Sequence, residues 1–305
     1  MKYDSTTKLS VKNGVPSSTD TNTKERMAAA TPLDGDMSST YLKKANVKRV
    51  KGIISENDFN KTLFPKRKSI YTYDGFLEAV AKYEKFCGEN HLDNTTDDEA
   101  CKIELSTLFA HFAQESGYHG GTIKVKGKNV EEWQQGLYHI HEDGCPKEND
   151  AHCNYRSGSD SWATTAYPMP DGMQYYGRGP FQLSWNYNFG EFSEMLGTST
   201  YDGKTTLLNN PSKVETDSVV IMEAALWFYM TPQSPKPSMH QVVTGQFTPN
   251  THDTAAGITN GFGATISIIN GAKECDQCSD TTKVGDYTWK VLRDEKSGNK
   301  ASYKK

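Results

Sequence analysis

Helical spacing of apolar residues in three stretches predicts a mainly α fold with long, ordered loops. In the first stretch, Phe76, Leu77, Val80 and Tyr83 recur three to four positions apart, the spacing of one helix face. Asp74 precedes them and is of a residue type that caps helices, so we expect it to begin this helix. Strand patterns are short and few, which favours a helical domain over an α/β fold.

A second helix is predicted between Asp97 and Gly117. Its apolar stripe consists of Cys101, Leu105, Leu108, Phe109, Phe112 and Ala113. A third helix follows Asp217, and its segment Val219 to Met230 is apolar nearly all round before Pro232 ends it. Because a helix without a polar face has to be buried, we expect this third helix to lie at the centre of the domain.

The domain organisation follows from where apolar periodicity begins and ends. Residues 1–48 are rich in Ser, Thr, Asp, Asn and Lys and bury too little surface to order themselves, so we expect a linker-like or disordered segment. The folded unit is expected to start near Val50 or Ile53 and to span residues 49–296. Residues 297–305 are predicted to be a frayed tail.

The charge and hydropathy of the chain exclude two classes of partner. Lys and Arg total 34 against 38 Asp and Glu, and apart from Lys43 to Lys51 there is no long basic run, so a nucleic acid is a poor candidate. No apolar run approaches the roughly 20 residues of a membrane span. We therefore expect a soluble protein. We also expect it to be a monomer and to need no cofactor.

Six cysteines fall into three local pairs by spacing: Cys87 with Cys101, Cys145 with Cys153, and Cys275 with Cys278. Such pairing favours an oxidising compartment, although the residues after Met1 lack the apolar segment of a signal peptide. We expect a secreted or extracellular protein whose leader was removed, or an excised piece of a longer exported protein. The pair Cys275 and Cys278 is expected to form a small disulfide or to remain two thiols.

Glu115 is a candidate general acid because of its place in the second helix. It lies in the last turn, beside the apolar stripe, where the negative end of the helix dipole and the apolar surroundings both disfavour an ionised carboxylate. A protonated carboxyl near neutral pH is what general acid catalysis requires. The alternative is an exposed glutamate at a frayed helix end.

The stretch from Tyr175 to Gly190 places two glycines around Arg178 and follows them with amides, hydroxyls and aromatic rings. Glycines permit a tight backbone path, and amides and rings are the usual means of binding a neutral sugar. A structural turn with incidental polar residues is the alternative.

From about Val50 to Cys275 the sequence resembles the glycoside hydrolase family 19 chitinases. The resemblance rests on several segments in the same order: Tyr71 to Phe76, Tyr175 to Gly190, Leu207 to Pro211, Ala225 to Ser238, and Gly261 to Gly271. It implies a lysozyme-like helical domain with two lobes and a substrate cleft, acting on chitin or chitooligosaccharides. The implied reaction is endo-hydrolysis of β-1,4 linkages by single-displacement inversion.

The resemblance also implies roles for individual residues. Glu115 matches the catalytic acid, Glu142 matches the base, and Ser184 matches the residue that helps the base to hold the attacking water. The positions that match the sugar-binding cleft are Gln114, Tyr175, Gln182, Tyr187, Asn188, Lys236 and Asn270.

Three departures from the family pattern affect particular positions. Gln114 stands where many relatives have histidine, which changes one substrate contact. Glu142 follows Glu115 by 27 positions, a few more than in the plant enzymes, so the loop that carries the base is longer. Where plant members place an arginine that pairs with the carboxylates, this chain has Tyr287, and Lys283 or Arg293 is a candidate replacement.

Two other functions are compatible with the sequence. One is an endolysin-type peptidoglycan hydrolase, because peptidoglycan also contains N-acetylglucosamine, and the other is a catalytically weak chitin-binding protein. A zinc site is a further alternative because of five closely spaced residues: His139, His141, Cys145, His152 and Cys153. A loop disulfide explains the two cysteines better, so we predict no metal.

Overall fold

The structure is a computed structural model of the chain. It describes residues 38–147, 150–158, 162–196, 203, 205–233, 236–249 and 260–274. The predictions for residues 1–37, for Cys275 and Cys278, for Tyr287 and its possible replacements, and for the C-terminal tail therefore concern residues outside this set.

The fold is mainly α, as the sequence predicts. Nine α-helices are described: α1 Ala45–Ile53, α2 Tyr73–Lys82, α3 Asp97–Ser116, α4 Trp162–Ala166, α5 Asn186–Leu196, α6 Thr205–Asn209, α7 Ser218–Met230, α8 Met239–Val243 and α9 Phe262–Glu274. The described part of the chain contains one sheet, an antiparallel hairpin. Its strands are β1 Ile123–Val125 and β2 Lys128–Val130, and Ile123 pairs with Val130. No helix in the described ranges combines the length and apolarity needed to cross a membrane.

Helix α7 lies at the centre of the domain, as its apolar sequence predicts. From Val220 to Met230 every residue is buried, and the side chain of Asp217 accepts hydrogen bonds from the backbone N–H groups of Val219 and Val220. Helix α2 packs closely against it. At Gly75 of α2, a Cβ would lie 2.5 Å from the carbonyl oxygen of Ser218, so only glycine fits this crossing without a shift.

The beginning of α2 and the beginning of the folded region differ from the predictions. The cap of α2 is Thr72, whose hydroxyl accepts the N–H of Gly75, whereas Asp74 lies inside the first turn. The folded region starts before Val50, since α1 already buries Asn46 and Val47. The side-chain amide of Asn46 donates to the carbonyls of Val80, Tyr83 and Phe86 and so satisfies the end of α2.

Helix α3 is stabilised at its N-terminus by a capping box in which Thr96 and Glu99 each bond the other's backbone N–H. A disulfide joins Cys101 of α3 to Cys87 in the segment after α2, confirming that spacing-based pair. The apolar face of the helix packs into an aromatic cluster of Phe59, Phe64, Phe76, Phe109 and Phe112.

Two buried ion pairs join helices in the described part of the domain. Lys82 of α2 contacts Glu223 of α7 at 2.8 Å, and both side chains are almost completely buried. His240 of α8 contacts the fully buried Glu104 of α3 at 2.7 Å, and its other ring nitrogen lies 3.4 Å from Glu89. These charges fix the relative positions of the helices that carry them, because breaking a buried pair leaves an uncompensated charge.

Candidate active site

A cavity of about 450 Å³ opens beside the C-terminal end of α3. Its walls come from the segment that leads into α5, from α9 and from the loop between α7 and α8. Eight of the ten predicted site residues line it: Glu115, Glu142, Gln182, Ser184, Tyr187, Asn188, Lys236 and Asn270.

Glu115 reaches this cavity because α3 ends one residue later, at Ser116. Ser116 also ties the helix end to the segment that leads to Glu142. Its hydroxyl donates to Phe112 O and accepts Leu137 N, and its carbonyl accepts the N–H groups of Tyr138 and His139. The acid candidate and the segment carrying the base candidate are therefore joined through one buried residue.

Glu142 is held by backbone pairing with the glycine-rich stretch. Its N–H donates to Gly177 O at 2.9 Å, and Gly177 N donates back to Glu142 Oε2 at 3.3 Å. A Cβ on Gly177 would lie 2.8 Å from the side chain of Gln182, so the close approach requires glycine here. Gln182 itself adopts a left-handed φ of 49°, and its side-chain amide donates to Gly179 O.

The other carboxylate oxygen of Glu142 has two side-chain partners. The Tyr155 hydroxyl donates to Oε1 at 2.9 Å, and His152 Nε2 lies 3.1 Å from the same atom. Burial, with a further contribution from the bond to Glu142, raises the pKa of Tyr155 to about 12, so this hydroxyl stays protonated and able to donate.

Behind Glu142, a buried ion pair supports the glycine-rich stretch. Arg178 lies 2.6 Å from Glu215, and His141 contacts the second oxygen of the same carboxylate at 3.0 Å. The guanidinium of Arg178 stacks 3.7 Å from the ring centroid of Tyr176. Arg178 is thus a supporting residue of the site and does not line the cavity.

Polar and aromatic groups follow one another along the segment from Ser184 to Asn188. The amide of Asn188 donates to Ser184 O at 2.8 Å. The ring of Trp185 packs edge-on against Tyr155 and is stacked near Tyr187, and 39% of Trp185 is exposed. An exposed ring between two others at the cavity edge is a surface on which a sugar ring can stack.

On the opposite wall, Lys236 and Asn270 shape the backbone of α9. The ammonium group of Lys236 donates to the carbonyls of Ser267 and Ile268, both at 3.0 Å. Asn270 departs from helical geometry, with φ −138° and ψ 25°, and so kinks α9 where it borders the cavity. Freed carbonyls before a kink are natural acceptors for a lysine.

The structure does not bring Gln114 and Tyr175 into this lining. Tyr175 is completely buried, and its hydroxyl donates to Leu208 O, so the expectation that it contacts sugar is corrected to a role in the core. Gln114 is half-buried on α3 outside the cavity, and its carbonyl accepts a hydrogen bond from His119.

Sequence reasoning missed Tyr155 and Trp185 and considered His152 only as a metal ligand. Cys145 and Cys153 form a disulfide, confirming this predicted pair, and its closure turns the chain so that His152 and Tyr155 face Glu142. Among the described residues, no three His, Cys, Asp or Glu side chains converge as metal ligands would. Of the other two histidines considered as metal ligands, His141 contacts Glu215 and His139 is partly buried.

Two carboxylates that face one cavity, with amides and aromatic rings around them, form the arrangement by which glycoside hydrolases cut sugar chains. The class of protein that the fold and the site define is therefore a helical, glycosidase-like domain.

The chain belongs to glycoside hydrolase family 19, since the model of that family, described as chitinase class I, matches residues 53–290. This family is the one that the sequence resembles, and its lysozyme-like fold class agrees with the helical architecture.

Curated relatives include both enzymes and proteins named as inactive. The chain is 37% identical over 236 residues to Endochitinase CH25 of Brassica napus, covering 75% of this chain and 64% of that protein. It is 40% identical over 210 residues to Inactive chitinase-like protein 1 of Hevea brasiliensis, covering 68% and 57%. The chain thus spans less than two thirds of the length of these relatives.

Among solved structures, chitinase C from Streptomyces griseus HUT6037 is similar, with a TM-score of 0.49 and 29% identity. The match covers 73% of this chain and 82% of that chain.

Proposed function

We propose that the protein is an endo-acting chitinase that hydrolyses β-1,4 linkages between N-acetylglucosamine units with inversion. The observation that carries the proposal is that Glu115 and Glu142, which come from different segments, line one cavity together with Ser184. Membership of the family supports the substrate class, and relatives named endochitinases support the reaction.

In this mechanism Glu115 protonates the oxygen of the scissile bond while Glu142 removes a proton from a water on the opposite ring face. Glu115 lies in the last turn of α3, where it lines the cavity. Ser184 helps to hold the water beside Glu142. The two carboxylates keep these roles through a single displacement and form no covalent intermediate.

Substrate binding is assigned to the polar and aromatic groups around the carboxylates. The amides of Gln182, Asn188 and Asn270 suit the hydroxyl and acetamido groups of N-acetylglucosamine. The exposed face of Trp185 suits a sugar ring, in line with aromatic stacking in carbohydrate sites.

Replacing the acid tests the proposal most directly. We expect Glu115→Gln to lose turnover of soluble chitin oligomers by about 10² to 10⁴-fold while still binding them, because only proton transfer is removed. Glu142→Gln is expected to be severe as well. Proton NMR of fresh hydrolysate should show the α-anomer first, and a predominance of the β-anomer would mean that Glu142 has another role.

A chitin-binding protein without hydrolysis is the second candidate, because relatives named inactive chitinase-like proteins are among the similar chains. Wild-type protein that binds chitin oligomers but releases no product would favour it. An endolysin-type activity is the third, and hydrolysis of bacterial peptidoglycan but not of colloidal chitin would favour that candidate.

We also propose that the protein works outside the cell. Two disulfides form in the described region, and such bonds persist in oxidising compartments. An assay for free thiols in protein isolated from its natural host would test this, with free Cys145 and Cys153 counting against it.

A further inference from the structure

The two oxygens of the Glu142 carboxylate have unequal surroundings. Oε1 is in contact with both the Tyr155 hydroxyl and His152 Nε2, at 2.9 and 3.1 Å. Oε2 accepts only the long bond from Gly177 N, at 3.3 Å, among the residues that the structure describes. A carboxylate with one saturated oxygen presents the other for a new hydrogen bond.

The place of His152 is fixed by a closed path of bonds that starts and ends at Glu142. Cys145 N donates to Glu142 O, and Cys145 is bonded to Cys153, the neighbour of His152. The backbone N–H of His152 donates to Asp150 Oδ1, which caps the short helical turn Ala151–Cys153. The disulfide between Cys145 and Cys153 therefore holds the imidazole of His152 near the Glu142 carboxylate. Its position does not depend on a freely moving loop.

His152 differs from Tyr155 in what it supplies. Tyr155 is a neutral donor, whereas a histidine carries a positive charge when protonated. In the described part of the chain, His152 is the basic side chain with which Glu142 forms an ion pair. A second polar contact on Oε1, from a residue held in place by the disulfide, restricts the rotation of the carboxylate.

We propose that His152 is a positioning residue that orients the carboxylate of Glu142 toward the water. This role rests on the proposed hydrolase function. By occupying Oε1 with Tyr155, His152 directs Oε2 toward the cavity, where the water and Ser184 are assigned. The side chain of His152 is 68% exposed, and an exposed ion pair contributes little to folding, so its contact with Glu142 is better explained by the site than by stability.

Three variants test this role in the full-length protein. His152→Ala removes the contact, and His152→Gln keeps an N–H donor near the position of Nε2. Lys147→Ala is the matched control, because Lys147 lies in the same loop and pairs with Asp150 but does not touch Glu142.

The measurements are kcat and KM on chitin hexasaccharide, together with the Tm. We expect His152→Ala to lower kcat about tenfold, the effect of losing one polar contact that orients the base, with KM changed less than about twofold and Tm unchanged. His152→Gln should recover part of the loss, and Lys147→Ala should match the wild type. An unchanged kcat in His152→Ala, or a change in KM alone, would overturn the proposal.

A readout without turnover separates this proposal from the proposed function. The ring-nitrogen NMR resonances of His152 should shift in Glu142→Gln and stay in place in Asp143→Asn, which removes a neighbouring exposed carboxylate. If the wild type cuts no chitin but this shift is present, the hydrolase function fails while the contact stands. If the resonances do not respond to Glu142→Gln, the positioning role fails whatever the activity.

Discussion

At the scale of single residues, a substitution at Ser184 can test a catalytic role apart from a structural one. It is half-buried in the cavity wall, and its hydroxyl makes no hydrogen bond with any described residue. Because the fold does not use this hydroxyl, Ser184→Ala should leave the Tm unchanged. Turnover should fall about tenfold or more, the factor that corresponds to one hydrogen bond in the transition state.

Ser193 provides the comparison for Ser184. Its hydroxyl is buried, donates to Gly203 O at 2.6 Å and accepts Leu207 N at 3.3 Å. Ser193→Ala should therefore destabilise the fold by about 1 to 3 kcal/mol while sparing kcat in protein that remains folded. A large stability loss in Ser184→Ala with normal turnover would contradict the assignment.

A site residue could be predicted where a local sequence pattern determines its position in the fold. The place of Glu115 follows from a helix that ends at a definite position, which an apolar stripe predicts. Tyr155 touches Glu142 only because a disulfide closes the intervening loop, and no local spacing shows which side chains that closure turns inward. Tyr175 was assigned to the cleft from the family resemblance, but its own ring is in the core.

At the scale of elements, the crossing of α2 and α7 depends on Gly75. We expect Gly75→Ala to destabilise the fold by about 1 to 3 kcal/mol, since the new Cβ meets the carbonyl of Ser218 and the helices have to separate. Gly52 in α1 is the matched control, because a Cβ there meets nothing within 4 Å. Gly52→Ala should stabilise by about 0.5 to 1 kcal/mol through helix propensity.

Urea denaturation of the two variants would measure these opposite signs. Equal effects of Gly75→Ala and Gly52→Ala would mean that helix propensity, and not the contact with Ser218, decides both. The m-value of unfolding should stay the same in both variants, because neither substitution alters the surface exposed on unfolding.

Helix length explains part of what could be predicted, although two long helices, α5 and α9 with 11 and 13 residues, were also missed. Helices α2, α3 and α7 span ten or more residues, enough for an apolar stripe to repeat. Helices α4, α6 and α8 have five residues each, little more than one turn, so periodicity cannot reveal them. Helix α1 was missed because its few apolar residues stand among lysines in a polar stretch.

At the scale of the whole molecule, a buried charge cluster joins α3, α8 and the segment after α2. Burial lowers the pKa of His240, but the charge and hydrogen bond of Glu104, with those of Glu89, outweigh this and raise it from 6.5 to about 9. Burial also raises the pKa of Glu104. The hydrogen bond from His240 lowers the pKa of Glu89 from 4.5 to about 2.

The stability of the protein should therefore fall on the alkaline side of neutrality. Since the pKa of His240 is raised in the folded state, its contribution is complete below pH 6.5 and is lost as the pH rises through about 9. The contribution is on the order of 3 kcal/mol for so deeply buried a group. Glu89 affects stability on the acid side. Because its pKa is lowered in the folded state, its smaller contribution to stability is lost as the pH falls from 4.5 toward 2.

Melting curves from pH 6 to pH 10 would measure this dependence. His240→Gln should be less stable at pH 6 and show a flatter curve, whereas His119→Gln, a change at an exposed histidine outside the cluster, should follow the wild type. If His240→Gln keeps the wild-type slope between pH 6.5 and 9, the cluster is not the source of the dependence.

The hydrogen bonds of Ser116 have a consequence for how this family member tolerates change. The chain leaves α3 at Ser116 and, after the β1–β2 hairpin, returns to the same carbonyl at Tyr138 and His139. Residues 117–136 therefore form a loop whose two ends are held together at Ser116. The entropy of closing such a loop grows only slowly with its length. The number of residues between the acid and the base can thus vary without moving either carboxylate, so the hairpin is a segment that evolution or an engineer can lengthen, shorten or replace.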